Sequence, residues 1–143
     1  MLPSRSSFCT GAICFNAKSG EIVWRYEAMD SVITAIALYN GETYFGSRDG
    51  NLYCLDANTG RLKWKRDLHL SIVSSPAVVE NGVYFGCDDG RIYCLARKDG
   101  AINWFFDTDE HTGGCRIISS PAVANRRLYI GSCSQYLFCI GGH

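Results

Sequence analysis

The residues of this 143-residue chain with reactive or ligating side chains are eight cysteines, three histidines and scattered acids, and they are densest in the stretch "DTDEHTGGC". There Asp107, Asp109, Glu110, His111 and Cys115 fall within nine residues, and carboxylate, imidazole and thiolate are the donors that zinc takes. A His-x3-Cys spacing with loosely placed acids is a much weaker pattern than two paired Cys-x2-Cys clusters. The stretch therefore reads as a polar insertion, with metal ligation by Asp107, Asp109, His111 and Cys115 as the lesser reading. No Ser-His-Asp set stands at a recognisable spacing, and "GSRDG", Gly46 to Gly50, is a turn without the helix that a nucleophile elbow needs. No catalytic residue and no cofactor-binding residue is assigned, no cofactor is expected, and the chain is not expected to be an enzyme.

Four of the cysteines point elsewhere, because Cys14, Cys54 and Cys94 are forty residues apart and Cys139 follows forty-five later. Residues at one repeat position lie one repeat apart in space, beyond the roughly 7 Å between Cα atoms that a disulfide spans. The opening "MLPSRSSFCTG" has one arginine and no apolar h-region, so it does not read as a secretory leader. The expectation is reduced thiols, buried as small hydrophobic groups in a cytoplasmic setting.

The elements that position these residues recur with the same period. Trp24, Trp64 and Trp104 step by forty, as do Gly20, Gly60 and Gly100. "YFG" occurs at Tyr44 and Tyr84 and becomes "YIG" at Tyr129, while "SSPAV" occurs at Ser74 and Ser119 with "TAIAL" in the equivalent place at Thr34. Within a repeat the runs are short, β-branched or aromatic, and separated by "ENG", "DDG" and "RKDG", which are hairpin signals. No segment carries apolar residues at helical spacing over ten residues. Four strands per repeat make a meander, and blades of about 40–45 residues make a β-propeller. The expected fold is all-β, four-stranded antiparallel blades in about 3.5 repeats: a partial blade over 8–27, blades over 31–67 and 71–107, and a partial blade over 116–141, in one domain over 1–143.

Composition narrows the function. Fourteen basic residues balance fourteen acidic ones, which removes the drive toward nucleic acid or anionic lipid. The longest apolar runs, such as "VITAIALY", fall far short of the roughly 20 residues of a membrane span. Protein partners remain. The insertion joins the outer strand of one blade to the inner strand of the next, as do "EAMDS" and "DLHLS", so His69, His111 and Arg116 are candidates for one binding face. "RLKWKR", Arg61 to Arg66, reads as an edge strand whose basic residues guard against edge pairing.

"CLDANTGRLKW", Cys54 to Trp64, resembles the tryptophan-docking motif of pyrroloquinoline-quinone-like (PQQ-like) propeller repeats. Cys54 takes the small position, Asp56 the acid, Thr59 and Gly60 the turn, and Trp64 the docking ring. "CFNAKSGEIVW" matches with Cys14, Asn16, Gly20 and Trp24, and "CLARKDGAINW" with Cys94, Gly100 and Trp104 but with Ala96 in place of the acid. The resemblance implies an indole buried across each blade interface with an acceptor for its N–H. Quinone enzymes of the family hold their cofactor over calcium and often carry a disulfide between adjacent cysteines, a pair this chain lacks. The resemblance therefore implies the scaffold branch, acting in protein binding or assembly. The alternatives are a fragment of a quinoprotein dehydrogenase or of the repeat region attached to an adenylate-forming enzyme. Two complete blades and two partial ones leave open ends, so the chain is expected to be a homo-oligomer closing a ring of about six blades or part of a longer propeller.

Overall fold

The structure is a computed structural model that describes residues 10–108 and 115–141, and every regular element in them is a strand. In chain order these are β1 (Ala12–Phe15), β2 (Ile22–Tyr26), β3 (Ala37–Tyr39), β4 (Glu42–Gly46), β5 (Asn51–Asp56), β6 (Leu62–Asp67) and β7 (Ala77–Val79). There follow β8 (Gly82–Gly86), β9 (Arg91–Leu95), β10 (Ile102–Asp107), β11 (Ala122–Ala124), β12 (Arg127–Gly131) and β13 (Leu137–Gly141). They pair in sequence order into four antiparallel sheets, β1-β2, β3 to β6, β7 to β10 and β11 to β13. The fold is a β-propeller arc, with two four-stranded blades between a two-stranded and a three-stranded sheet.

Turn chemistry makes each sheet a meander. Asn40 and Gly41 both have positive φ, 50° and 76°, as the tight turn between β3 and β4 requires. Between β11 and β12 the same job falls to Asn125 and Arg126, at 53° and 60°. The register then sets Cys14 opposite Trp24, Cys54 opposite Trp64 and Cys94 opposite Trp104, with an irregularity beside each pair.

The core lies between the blades and not on one side of each sheet. Leu52, Tyr53, Cys54 and Leu55 are consecutive and all buried, because successive side chains face opposite neighbours. Leu52 and Cys54, with Tyr44, meet Phe85, Tyr93 and Leu95 of the next blade. Phe45, Tyr53 and Leu55 meet Ala12 and Trp24 of the preceding sheet. Ile92 is buried with Leu128 and Ile130 across the third interface. Each large side chain so buried contributes about 1.5–3 kcal/mol. The glycines of the two "YFG" copies mark close approach: a side chain at Gly46 would collide with Ile72, and one at Gly86 with Ile117.

Candidate functional site

The residues repeated most faithfully meet at the blade interfaces. The Trp24 indole Nε1 donates to the carbonyl of Ala57 at 2.8 Å, and that of Trp64 to the carbonyl of Arg97 at 2.9 Å. Beneath each ring lies a glycine of the following blade, Gly60 at φ 73° and Gly100 at 74°. A Cβ built on Gly60 would stand 2.6 Å from the Trp24 ring, so the ring occupies the space that a side chain would fill. Asp56 shapes the turn that presents Gly60, its Oδ1 accepting from the N–H groups of Asn58 at 2.8 Å and Thr59 at 3.0 Å. Those bonds hold its carboxyl below the ordinary range. Asn16 does the same for Lys18 and Ser19. With Ala96 in the third copy, Asp99 Oδ1 braces the turn from its far side by accepting from the N–H of Ala101 at 3.0 Å.

Two repeated positions lack the counterpart their equivalents have. A Cβ on Gly20 would meet nothing within 4 Å, although its φ is 73°. Trp104 has no acceptor for its Nε1 among the described residues; it packs on Tyr84 and borders a cavity of about 480 Å³ with Val79, Val123, Leu128 and Ile140.

Several residues that hold the blades were not visible as a motif. Tyr53 donates to Asp49 at 2.5 Å and Tyr93 to Asp89 at 2.6 Å, so each of the two complete blades has an Asp-x3-Tyr brace. The spacing is regular in the sequence and could have been found by aligning the copies. Glu42 accepts from Tyr44, from Lys63 at 2.6 Å and from Arg97 of the next blade at 3.2 Å. Arg97 also lies over the Tyr39 ring, 4.9 Å from its centroid. Burial pushes the Glu42 carboxyl up, but its bonds to Lys63 and Tyr44 and the cation of Arg97 outweigh this and hold it low. Within "RLKWKR", Lys63 is thus ion-paired, and Arg66 donates to the carbonyl of Gly100 at 2.7 Å. The cysteines are free thiols at every described position. Burial pushes Cys54 and Cys87 up to about 11 and raises Cys94, which leaves them protonated near neutral pH and poor as ligands or nucleophiles.

The loops from outer to inner strand are pinned at one end of the blades. Leu68 N–H donates to Gly50 at 2.8 Å, Ile72 to Ser47 at 3.1 Å and Ile117 to Cys87 at 3.2 Å, all backbone to backbone. His69, at φ 63°, is almost fully exposed and its Nδ1 stands 3.3 Å from Asp67. Arg116 lies in the next such loop, its Nε 3.9 Å from Asp88 Oδ1, a buried atom without a hydrogen bond. Exposed Met29 and Leu70 occupy the matching loops. Among the described residues no hydrogen bond or ion pair joins His69 to Arg116, and His111 lies outside them.

Of the metal-ligand candidates, Asp109, His111 and also Glu110 lie outside the described residues. Asp107 is paired with Arg91, Oδ2 to Nε 3.2 Å, and Cys115 is half-buried. No group of three His, Cys, Asp or Glu side chains that could hold a metal occurs among the described residues. No helix among them is long and apolar enough to cross a membrane.

A family model described as outer membrane protein assembly factor BamB matches residues 10–140. No curated protein sequence matches the chain. Among solved structures, BamB from Moraxella catarrhalis is 23% identical with a TM-score of 0.77, over 96% of this chain and 41% of that one. Quinohemoprotein alcohol dehydrogenase ADHIIG from Pseudomonas putida HK5 is 26% identical with a TM-score of 0.70, over 80% of this chain and 19% of that one. The computationally designed Ika4 protein is 18% identical with a TM-score of 0.77, over 92% of this chain and 81% of that one. The chain thus spans about two fifths of the BamB structure and a fifth of the dehydrogenase.

Proposed function

The chain belongs to the PQQ-like repeat family described as outer membrane protein assembly factor BamB, and from that membership we propose that it is a non-catalytic protein-interaction module. The observation that carries this is how the repeated residues are used. Trp24 and Trp64, the buried cysteines and the Asp49 and Asp89 carboxylates all have partners inside the blade packing. What remains outward and fixed is the loop face with Met29, His69, Leu70 and Arg116. A face that mixes exposed apolar side chains with the polar groups of His69 and Arg116 and their neighbouring carboxylates, on loops tied to their own blades, suits a protein partner. Among the described residues the thiols are free, exposed Cys133 and Cys139 included, which supports a reducing, cytoplasmic setting.

The likeness to a quinohemoprotein alcohol dehydrogenase favours a second reading, a piece of a quinone enzyme. The donors described here do not fit a calcium-held quinone. Asp49 and Asp89 accept from tyrosines and turn N–H groups, Asp56 from its own turn, and Glu42 from two cations and Tyr44.

A photoreactive amino acid placed at position 69 or 116 and activated in cells tests the proposal, with position 65 on the outer strand as control. A discrete protein adduct at 69 and 116, absent at 65, is the expected result. No adduct at either loop position, together with dye-coupled alcohol oxidation by the chain after addition of quinone and calcium, would reverse it.

A further inference from the structure

The outer strands of the two four-stranded blades, β6 and β10, each end their sheet. A strand edge of that kind is a template for pairing with another chain, and basic residues along it guard against this. β6 carries Lys63, Lys65 and Arg66, and the equivalent β2 carries Arg25. β10, "INWFFD", has no basic residue, and its one acid, Asp107, is paired with Arg91. Where Arg25 and Lys65 stand in the earlier copies, β10 has Phe105. From Trp104 onward β10 pairs residue for residue with β9, so no bulge turns this part of the edge away. Among the described residues no backbone bond from outside the sheet reaches Ile102 to Phe105.

The side chains along this edge are prepared for contact. Phe105 lies opposite Tyr93 and packs on its ring, centroids 5.9 Å apart, while the Arg91 guanidinium stands 4.7 Å from the Phe105 centroid. Tyr93 belongs to the core shared with the second blade, so Phe105 is on the side turned to that blade. Ile102, opposite Leu95 of the same core, is on that side too. The two are 50% and 45% exposed, and the blades that flank them each have four strands. Arg66 of the second blade reaches across to the start of β10, where it donates to a neutral acceptor, the Gly100 carbonyl. Among the described residues no carboxylate is paired with it.

We infer that β10 takes up an extended segment of a protein partner as a fifth strand of the third blade. The segment sets an apolar side chain beside Phe105 and an acidic one at the Ile102 end, toward Arg66. Bonds between the two main chains supply affinity, and side chains at alternate positions supply the choice of segment. Phe105 offers a large cross-strand contact that a lysine there would not. Arg66 favours a carboxylate and disfavours a second cation. β6, with three basic residues at its own edge, is the internal control. The inference rests on the reading of the chain as a protein-interaction module and names the form in which part of a partner is held.

The probe is a fluorescein-labelled synthetic peptide of alternating valine and threonine, six residues long like β10, with a glutamate at each end to serve either strand direction. It is titrated with the whole chain under reducing conditions and followed by fluorescence anisotropy. Saturable binding is expected, with slowed hydrogen exchange between Ile102 and Phe105 and none in β6. Phe105→Lys gives β10 the residue type that β6 has at that position and should weaken binding about tenfold or more, whereas Phe105→Tyr should keep it. Arg66→Gln should remove the preference for the glutamate-ended peptide over a glutamine-ended one. A peptide methylated at every backbone nitrogen should not bind. Absence of saturable binding, binding indifferent to N-methylation, or equal binding by wild type and a Phe105→Lys chain of unchanged unfolding midpoint would overturn the inference. Adducts at positions 69 and 116 without peptide binding would overturn it too, and would leave the loop-face reading in place.

Discussion

At Gly60 and Gly20 the backbone has the same φ, 73°, but only Gly60 has an indole over it. That contrast separates strain from collision. Alanine at Gly20 meets open space and costs only the left-handed conformation, about 1 kcal/mol. Alanine at Gly60 adds a clash with Trp24, and the expected loss is roughly 2–4 kcal/mol. Denaturant unfolding of the two variants should show that difference, and equal losses would mean the ring does not seat there. Thiol chemistry provides a second residue-scale expectation. Cys54 and Cys87, buried with pKa pushed up to about 11, should resist alkylation at pH 8 in the folded chain, while exposed Cys133 reacts at once. Mass spectrometry of a short iodoacetamide pulse decides this.

At the scale of the strand, the first serine of "SSPAV" has a structural task. Ser74 Oγ accepts from the N–H of Gly86 at 3.1 Å and donates to the carbonyl of Ser119 in the next blade at 2.6 Å. Thr34 and Ser119 likewise accept from Gly46 and Gly131, so the hydroxyl recurs where the second strand of each blade ends. Ser74→Ala leaves a buried N–H without its partner and should cost about 1–3 kcal/mol in unfolding free energy. Turns between strands respond to acid. Burial pushes Asp49 up, but bonds from Tyr53, Asn51 and Met29 outweigh it and hold the carboxyl below its ordinary value. Such a group binds its proton more readily unfolded than folded, so its contribution is complete above the unfolded value of about 4 and is lost as pH falls through the lower folded value. Denaturant titrations from pH 6 to pH 3 should show wild type losing more stability than Asp49→Asn.

Over the whole molecule, the blade pattern was legible because three copies repeat cysteine, glycine and tryptophan forty residues apart, and a fourth repeats the strand residues and the cysteine forty-five later. The use of those residues was only partly legible. The indole acceptors are backbone carbonyls, Ala57 and Arg97, which leave no mark on residue type. The alternation in "RIYCLA" suggested strands but could not say that both faces are buried, one against each neighbour. Glu42 and Arg97 stand 55 residues apart and meet only because successive blades stack. The candidate face was read from loop order alone, which places His69 and Arg116 in matching loops but says nothing of the Asp67 and Asp88 carboxylates beside them.

The central claim is that the repeated residues are spent on packing between blades and that recognition is left to the loop face. Hydrogen exchange followed residue by residue, indole N–H groups included, tests it most directly. The account predicts protected indoles for Trp24 and Trp64 but not Trp104, slow amides in β4, β5, β8 and β9, and fast exchange of the exposed side of the loops around Met29 and His69. Equal exchange of all three indoles, or protection centred on those loops with the inner strands exchanging freely, would contradict it.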